Sequence, residues 1–91
     1  MHGEYKVPGG KLVVVDYEVD GGRLRDVQLS GDFFLEPPEA LRTLDWALEG
    51  AAVDTPPEAL TRRLEDAIGD RMTLVGFDAA AIASAVGRAR A

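Results

Sequence analysis

Hydrophobic and polar residues alternate between positions 11 and 19, which is the period of a β-strand. Leu12 and Val14 place apolar side chains on the opposite face, but only at the start of the strand, so we expect that end to be buried on both sides. The apolar residues of the alternation share one face: Val13, Val15, Tyr17 and Val19. The pattern predicts a strand that contributes this face to a core.

A hairpin follows this strand. The Asp-Gly-Gly sequence at 20–22 tolerates positive φ and lies between two apolar runs, which is typical of a turn joining antiparallel strands. The returning strand, residues 24–30, breaks its own alternation, because Leu24 has the opposite parity to Val27 and Leu29. This break predicts a β-bulge or a strong twist.

Three helices are predicted after the strands. The pentapeptide Pro-Pro-Glu-Ala-Leu occurs at 37–41 and at 56–60, and both copies are typical of helix starts, because proline and glutamate suit the first turn. Thr55 and Glu58 predict a capping box for the second copy, and Asp78 predicts an N-cap for the third helix. The similarity fades beyond the pentapeptide, so we interpret it as convergent capping rather than a duplicated unit.

Each predicted helix carries an apolar stripe that needs a partner. Gly50 and Gly69 are placed to end the first two helices, and the connector at 70–77 allows a short extended piece. The stripes contain Leu41, Leu44 and Leu48, then Leu60, Leu64, Ala67 and Ile68, then Ile82, Ala83 and Val86. This predicts an α+β fold: a small antiparallel sheet of two to three strands followed by three helices packed on one face, in a single domain spanning 1–91.

Size, charge and composition limit the partners and the kinds of site that this chain can have. The 91 residues allow one domain without a large catalytic cleft, and 16 acidic against 10 basic residues give a net charge of -6, which disfavours nucleic acid as a partner. With no cysteine and one histidine, we predict no catalytic residue and no metal site. Neither a signal peptide nor a membrane-length apolar stretch occurs, so we expect no membrane partner and a cytoplasmic location.

A glycine-lysine segment before the first predicted strand is one candidate site. In Lys-Val-Pro-Gly-Gly-Lys at 6–11, the glycines let backbone N–H groups approach an anion, and Lys6 or Lys11 adds positive charge. The segment is not a P-loop, because the Gly-x-x-x-x-Gly-Lys-Ser/Thr pattern is absent and the glycines precede a strand. On spacing alone, a structural turn explains it better.

The sequence Ser-Gly-Asp-Phe-Phe at 30–34 is a second candidate. Asp32 as an acceptor beside two aromatic anchors suits a ligand or partner contact. Alternatively, Gly31 permits a break in the strand, Asp32 closes a local turn, and one of Phe33 and Phe34 points inward. Residues 33–35 then continue the strand or begin a third, and both interpretations are open at this stage.

Other polar and aromatic residues have structural interpretations. Trp46 lies off the leucine stripe of its helix, where it either pads the edge of the core or marks a docking surface. We expect His2 to lie in a frayed terminus. Five acidic residues on the helices are predicted to be solvated: Glu39, Asp45, Glu49, Glu65 and Asp66.

Five features follow one another in a specific order: Lys-x-Pro-Gly-Gly-Lys-Leu at 6–12, the hairpin, Ser-Gly-Asp-Phe-Phe at 30–34, Leu-x-x-Leu-x-x-Ala-Leu-x-Gly at 41–50, and Gly-Phe at 76–77. In this order they resemble the accessory domain of lipoate-protein ligases. The resemblance covers nearly the whole chain, and its specific parts are the two glycine blocks.

The resemblance implies a role beside a larger catalytic domain. In that family the catalytic domain holds ATP, magnesium and lipoate, makes lipoyl-adenylate, and transfers the lipoyl group to a lysine of an acceptor domain. The small domain is needed mainly for adenylation, so the implied partners are the catalytic subunit and, indirectly, the lipoyl acceptor domain. A chain running from Met1 to Ala91 fits a separately encoded subunit with no activity alone.

Site residues follow from the same resemblance. It implies cofactor contacts from Lys6, Gly9, Gly10 and Lys11, and an active-site edge or partner contact formed by Gly31, Asp32 and Phe33.

Three alternative functions remain. In the first, the chain is a protein-interaction module that docks on the ligase or its acceptor protein and takes no part in the reaction. In the second, it is a regulator that binds a small molecule. The outline also resembles iron-sulfur assembly scaffolds, but those use cysteine, which this chain lacks.

Overall fold

The computed structural model describes residues 1–90. Within this range, five strands, three α-helices and one 3-10 turn follow in chain order: β1 (His2–Lys6), β2 (Leu12–Asp20), β3 (Arg23–Gly31), β4 (Phe34–Glu36), the 3-10 turn (Pro38–Ala40), α1 (Leu41–Leu48), α2 (Pro57–Ile68), β5 (Thr73–Val75) and α3 (Ala79–Arg90).

The strands form two antiparallel sheets. The larger has the order β1-β2-β3, and the smaller pairs β4 with β5. Helix α3 packs on β1 and β2, α1 packs on β3, and α2 contacts both of these helices. The predicted α+β class is therefore confirmed, with the connector supplying β5 as the partner of β4 in a second sheet.

The predicted bulge lies in β3. Asp16 pairs with Gln28 and Glu18 pairs with Arg25, so two residues of β3 oppose the single Tyr17 of β2. One of these two, Asp26, has a φ of 54°, the left-handed conformation that lets the strand absorb an extra residue. The bulge brings Leu24, Val27 and Leu29 to the same buried face despite their different parity.

The core joins the apolar face of β2 to the helices. Val13, Val15 and Tyr17 are buried as predicted, and the Tyr17 hydroxyl donates to the Val86 carbonyl oxygen of α3 at 3.3 Å. Burial raises the pKa of Tyr17 above its ordinary value, because the phenolate would lose its hydration. The prediction for Val19 was wrong: it is 40% exposed and lies among the last three residues of β2, all of which are exposed.

The N-terminal segment is a strand, not the frayed terminus that we expected around His2. Strand β1 pairs with β2 from His2↔Asp16 to Lys6↔Leu12. Its inward residue is Gly3, where a Cβ would overlap the Ala85 carbonyl oxygen, so β1 lies directly on the backbone of α3. An inward glycine adds no apolar residue to the sequence pattern, which is why alternation did not reveal this strand.

His2 fastens β1 to β2. Its Nδ1 lies 2.6 Å from Asp16 Oδ1, and its Nε2 lies 2.8 Å from Glu4 Oε2. The hydrogen bonds to Glu4 and to Asp16 raise the pKa of His2 above 6.5, because both carboxylates favour the imidazolium.

The raised pKa of His2 predicts a pH dependence. The imidazolium contacts stabilise the fold fully below the unfolded-state pKa, and their contribution disappears as the pH rises through the folded-state pKa. In an NMR titration we expect the ring of His2 to titrate above 6.5, and Asp16→Asn to lower its midpoint. A midpoint at or below 6.5 would contradict the paired geometry.

The helix starts differ from the predicted capping. Helix α2 begins at Pro57 with Pro56 as its N-cap, and no side chain caps it. The Thr55 hydroxyl instead donates to the Ala52 carbonyl oxygen at 2.6 Å, because a residue before proline is held in an extended conformation, away from the helix. In the first copy the pentapeptide forms the 3-10 turn before α1. The Asp78 cap is confirmed, since its Oδ1 accepts from the Ala81 amide at 2.8 Å.

Asp45 of α1 and Glu49, the C-cap of that helix, are not simply solvated, contrary to our prediction. Glu49 accepts hydrogen bonds from the backbone amides of Asp26 and Val27 at 3.0 Å, and Asp45 Oδ1 accepts from Leu29 N at 2.9 Å. Burial raises the pKa of Asp45, although the Leu29 amide acts in the opposite direction. These carboxylates accept hydrogen bonds from backbone amides on the outer edge of β3. Without them, this edge strand would offer free N–H groups to another chain.

Removing the Glu49 carboxylate should therefore destabilise the fold. We expect Glu49→Ala to lower the free energy of unfolding by about 1–2 kcal/mol, because the two amides at the bulge lose a charged acceptor. The control is Glu65→Ala on α2, an exposed position that should change stability by less than about 0.5 kcal/mol. Equal midpoints of urea unfolding for the two variants would show that the hydrogen bonds of Glu49 to the edge of β3 do not stabilise the fold.

Candidate functional site

The Pro-Gly-Gly-Lys segment is the turn that joins β1 to β2. The Gly10 amide donates to the Val7 carbonyl oxygen at 2.8 Å, and the Val7 amide donates to Lys11 O at 3.0 Å. Pro8 and Gly9 are the central residues, and Gly9 has a φ of 71°, as a type II turn requires. No atom lies within 4 Å of the position a Gly9 Cβ would take, so the tip of the turn is open.

Two lysines flank this turn differently. Lys6 is exposed, and its Nζ donates to the Gly10 carbonyl oxygen at 2.6 Å, which holds its charge beside the turn. Lys11 is half-buried, because its aliphatic stem packs against Gly76. Both ion pairs within residues 1–90 involve His2, so neither lysine is neutralised by a described carboxylate.

The second glycine block lies beside the first. Gly31, the last residue of β3, pairs with Val13 and has a φ of 146°. A Cβ on Gly31 would overlap the Leu12 carbonyl oxygen, so glycine is required for this close approach. The Asp32 carboxylate accepts a hydrogen bond from Leu12 N at 2.7 Å, immediately after Lys11. Asp32 therefore ties the two blocks together.

An aromatic stack supports the junction. The ring of Phe33 lies parallel to that of Phe77, with 3.9 Å between centroids and 22° between planes. Phe33 is half-buried while Phe34 is 66% exposed, which confirms that one points inward and one outward. The Lys11 amide donates to Gly76 O at 2.9 Å, so residues 76–77 hold both glycine blocks.

We call this arrangement the glycine corner: the turn 7–11, residues 31–33 and residues 76–77. All the residues that the family resemblance implied for the site lie in it or directly beside it. The resemblance included residues 76–77, but no local signal in the sequence showed that Gly76 would contact Lys11. Only folding brings together segments separated by more than 40 positions.

The corner presents an edge with two ammonium groups. Lys6 and Gly9 are exposed and Lys11 is half-buried, so the lysines and the open turn face outward rather than into an enclosed cavity. Within residues 1–90, no group of three His, Asp or Glu side chains is placed to hold a metal ion. The lysines and the open turn give the corner groups that can attract an anion, while the Asp32 carboxylate is engaged with the Leu12 amide.

No helix within the described part of the chain is long and apolar enough to cross a membrane.

Comparisons with known proteins gave matches in sequence and in fold. No protein-family model matches the chain. A segment of 43 residues is 35% identical to lipoate-protein ligase A subunit 2 of Thermoplasma acidophilum, and it covers 47% of this chain and 46% of that protein. The fold also matches a chain in the solved structure of an archaeal lipoylation system, a bipartite lipoate protein ligase and its E2 lipoyl domain from the same organism. That match has a TM-score of 0.77 and 23% identity, over 94% of this chain and 92% of the other.

The segment match and the shared fold are two separate observations that point to the same protein system. This chain is similar in sequence, over about half of its length, to lipoate-protein ligase A subunit 2, and similar in fold, over nearly all of its length, to a chain of the archaeal lipoylation system.

Proposed function

We propose that this chain is the accessory subunit of a cytoplasmic lipoate-protein ligase. In this proposal it forms a heterodimer with a catalytic subunit and is needed for the ATP-dependent activation of lipoate to lipoyl-adenylate. The lipoyl acceptor domain is an indirect partner, because the catalytic subunit performs the transfer. The proposal rests on the similarity to the archaeal ligase subunit and on one structural observation, the convergence of both glycine blocks at one exposed corner.

The glycine corner would act as a cationic edge over the partner's pocket. The catalytic subunit would hold most of ATP, magnesium and lipoate; the lipoate carboxylate would take the adenylyl group of ATP, and pyrophosphate would leave. Lys6 and Lys11 would place positive charge where the phosphates concentrate negative charge, and the open tip at Gly9 would let the backbone approach them. Docking would also exclude water from the adenylate.

The two lysines are not equally available. The Lys6 ammonium already donates to Gly10 O and, at 3.2 Å, to Val7 O, so its first effect is to stiffen the turn. The Lys11 stem is fixed against Gly76, which restricts where its ammonium can reach. A charge held in place by the fold costs less to position than a free side chain. Lys11 is therefore our first choice for a direct phosphate contact.

The rest of the corner fixes this geometry. Asp32 holds the backbone beside Lys11, and the stacked rings of Phe33 and Phe77 support the same junction. None of these groups needs to react. Their role in this proposal is to keep the turn in one conformation before the partner docks.

The alternative is a docking module that makes no contact with the reacting groups. It is favoured by exposed aromatic residues outside the corner, because Phe34 and Trp46 are each 66% exposed. The two functions differ in one measurable consequence. A tether has no reason to change the rate at which free lipoate is activated.

Lipoate-dependent pyrophosphate exchange tests the proposal. The assay compares the catalytic subunit alone, this chain alone, and an equimolar mixture. We expect exchange only in the mixture, because each component lacks part of the site. Equal exchange with and without this chain would support the docking module instead, and exchange by this chain alone would overturn both.

A further inference from the structure

The outer face of α1 and β4 carries a partly apolar surface that borders the glycine corner, because Gly31 and Phe33 line its first groove. Five large hydrophobic side chains are exposed in residues 1–90, and the two aromatic ones, Phe34 and Trp46, lie at opposite ends of this surface. Val75 is 51% exposed and pairs with Phe34 across the smaller sheet. We call this surface the α1 strip: Phe34, Pro38, Leu41, Arg42, Asp45 and Trp46.

Three adjoining depressions make the strip continuous. A groove of about 350 Å³ lies between the end of β3, β4 and the start of α1, and Phe34, Pro38 and Leu41 line it. A second depression, of about 470 Å³, shares Pro38 and Leu41 with the first and extends to Arg42 and Asp45. The third shares Arg42 and Asp45 and ends at Trp46. A partner surface can therefore follow the strip without a break.

The aromatic side chains at its ends do not serve the core. Leu35, next to Phe34, is the buried residue of β4, and Leu44 and Leu48 are the buried residues of α1. Neither Phe34 nor Trp46 is among the hydrophobic residues packed against the core. Exposed tryptophan and phenylalanine beside an open groove are typical of binding surfaces, where such residues supply most of the affinity.

The charges around the strip are mostly negative. Glu36 is exposed in β4 and Glu39 lines the second depression, while Asp45 and Glu49 line the third. Arg42 is the cation within the strip. The complementary surface presents an apolar side chain to the groove and lysine or arginine around it. A second copy of this chain is a poor fit, because its own strip is acidic and its net charge is -6.

We propose that the α1 strip is the surface that binds the catalytic subunit, through an apolar anchor on that subunit flanked by basic side chains. This rests on the function proposed above. The strip begins at Phe34, next to Phe33 of the glycine corner, so a partner lying along the strip also reaches the corner. Affinity comes from the strip, and the charge that assists adenylation comes from the corner.

Calorimetric titration of the purified catalytic subunit with the full chain tests this surface. We expect Phe34→Ser to raise Kd at least thirtyfold and Trp46→Ser at least tenfold, roughly what a buried aromatic anchor supplies. The matched control is Val19→Ser, which removes a hydrophobic side chain that is 40% exposed at the far end of β2, and it should change Kd less than twofold. Glu39→Lys should raise Kd about fivefold, with a weaker effect at high salt. Circular dichroism confirms that each variant is folded.

The outcomes separate the two proposals. Wild-type affinity in both aromatic variants overturns the strip, and it leaves the proposed function standing if the wild-type chain still supports pyrophosphate exchange. A wild-type chain that neither binds the catalytic subunit nor supports exchange overturns both. Self-association that Phe34→Ser abolishes, or binding of the isolated lipoyl acceptor domain to the strip, assigns the surface to another occupant and also overturns it.

Discussion

Replacing Gly31 with alanine is expected to lower the free energy of unfolding by about 2–4 kcal/mol. The new Cβ would overlap the Leu12 carbonyl oxygen, and a φ of 146° is strained for any residue with a side chain. Strand β3 would have to move away from β2 at the place where Asp32 holds Leu12. Chemical denaturation monitored by circular dichroism measures the loss. For a domain of this size it is a large share of total stability, which is typically about 5–15 kcal/mol.

Gly9→Ala is the matched control. Gly9 also has a positive φ, but nothing lies within 4 Å of its Cβ position, so only the backbone preference is lost, at about 1 kcal/mol. The difference between the two variants isolates the close approach of the glycine blocks. Equal losses would mean that β2 and β3 do not meet at Leu12 as described.

Removing the Lys11 ammonium is expected to slow lipoate-dependent pyrophosphate exchange by roughly tenfold to a hundredfold. The loss should appear in kcat rather than in the KM for lipoate, because the charge acts on phosphate groups. Lys6→Ala should have a smaller effect, since the Lys6 ammonium is engaged with the turn carbonyls. Exchange by Lys11→Ala, mixed with the catalytic subunit at saturating concentration, is the measurement.

Two further variants control for charge and for folding. Arg62→Ala removes an exposed cation from α2, outside the glycine corner, and should leave exchange unchanged. Lys11→Arg keeps the charge and should recover most of the rate. Unchanged exchange in Lys11→Ala would make the glycine corner a purely structural turn.

Much of the fold was predictable because it depends on local chemistry. Alternation revealed β2, the parity break at Leu24 revealed the bulge, and the Asp78 cap marked the start of α3. The failures share a cause, which is that a neighbour distant in sequence decides the role of a residue. Gly3 lies in a strand because its backbone packs directly against α3. Glu49 accepts hydrogen bonds because β3 is an edge strand with unpaired backbone amides.

The candidate site was predictable only in part. The resemblance singled out the residues of both glycine blocks, but spacing alone favoured a turn, and Lys6 to Lys11 do form one. The chain pattern showed neither the contact of Asp32 with Leu12 nor the packing of Lys11 on Gly76, because these connect segments far apart in sequence. For Trp46, its exposure favours a docking surface over the core edge.

The central claim is that this chain assists adenylation and not transfer. Its most direct test supplies the catalytic subunit and an acceptor domain either with ATP and lipoate or with preformed lipoyl-adenylate, each with and without this chain, and measures lipoylated acceptor by mass spectrometry. We predict that modification from ATP and lipoate requires this chain, whereas modification from lipoyl-adenylate proceeds without it. The claim would be contradicted if both reactions required this chain, or if neither did.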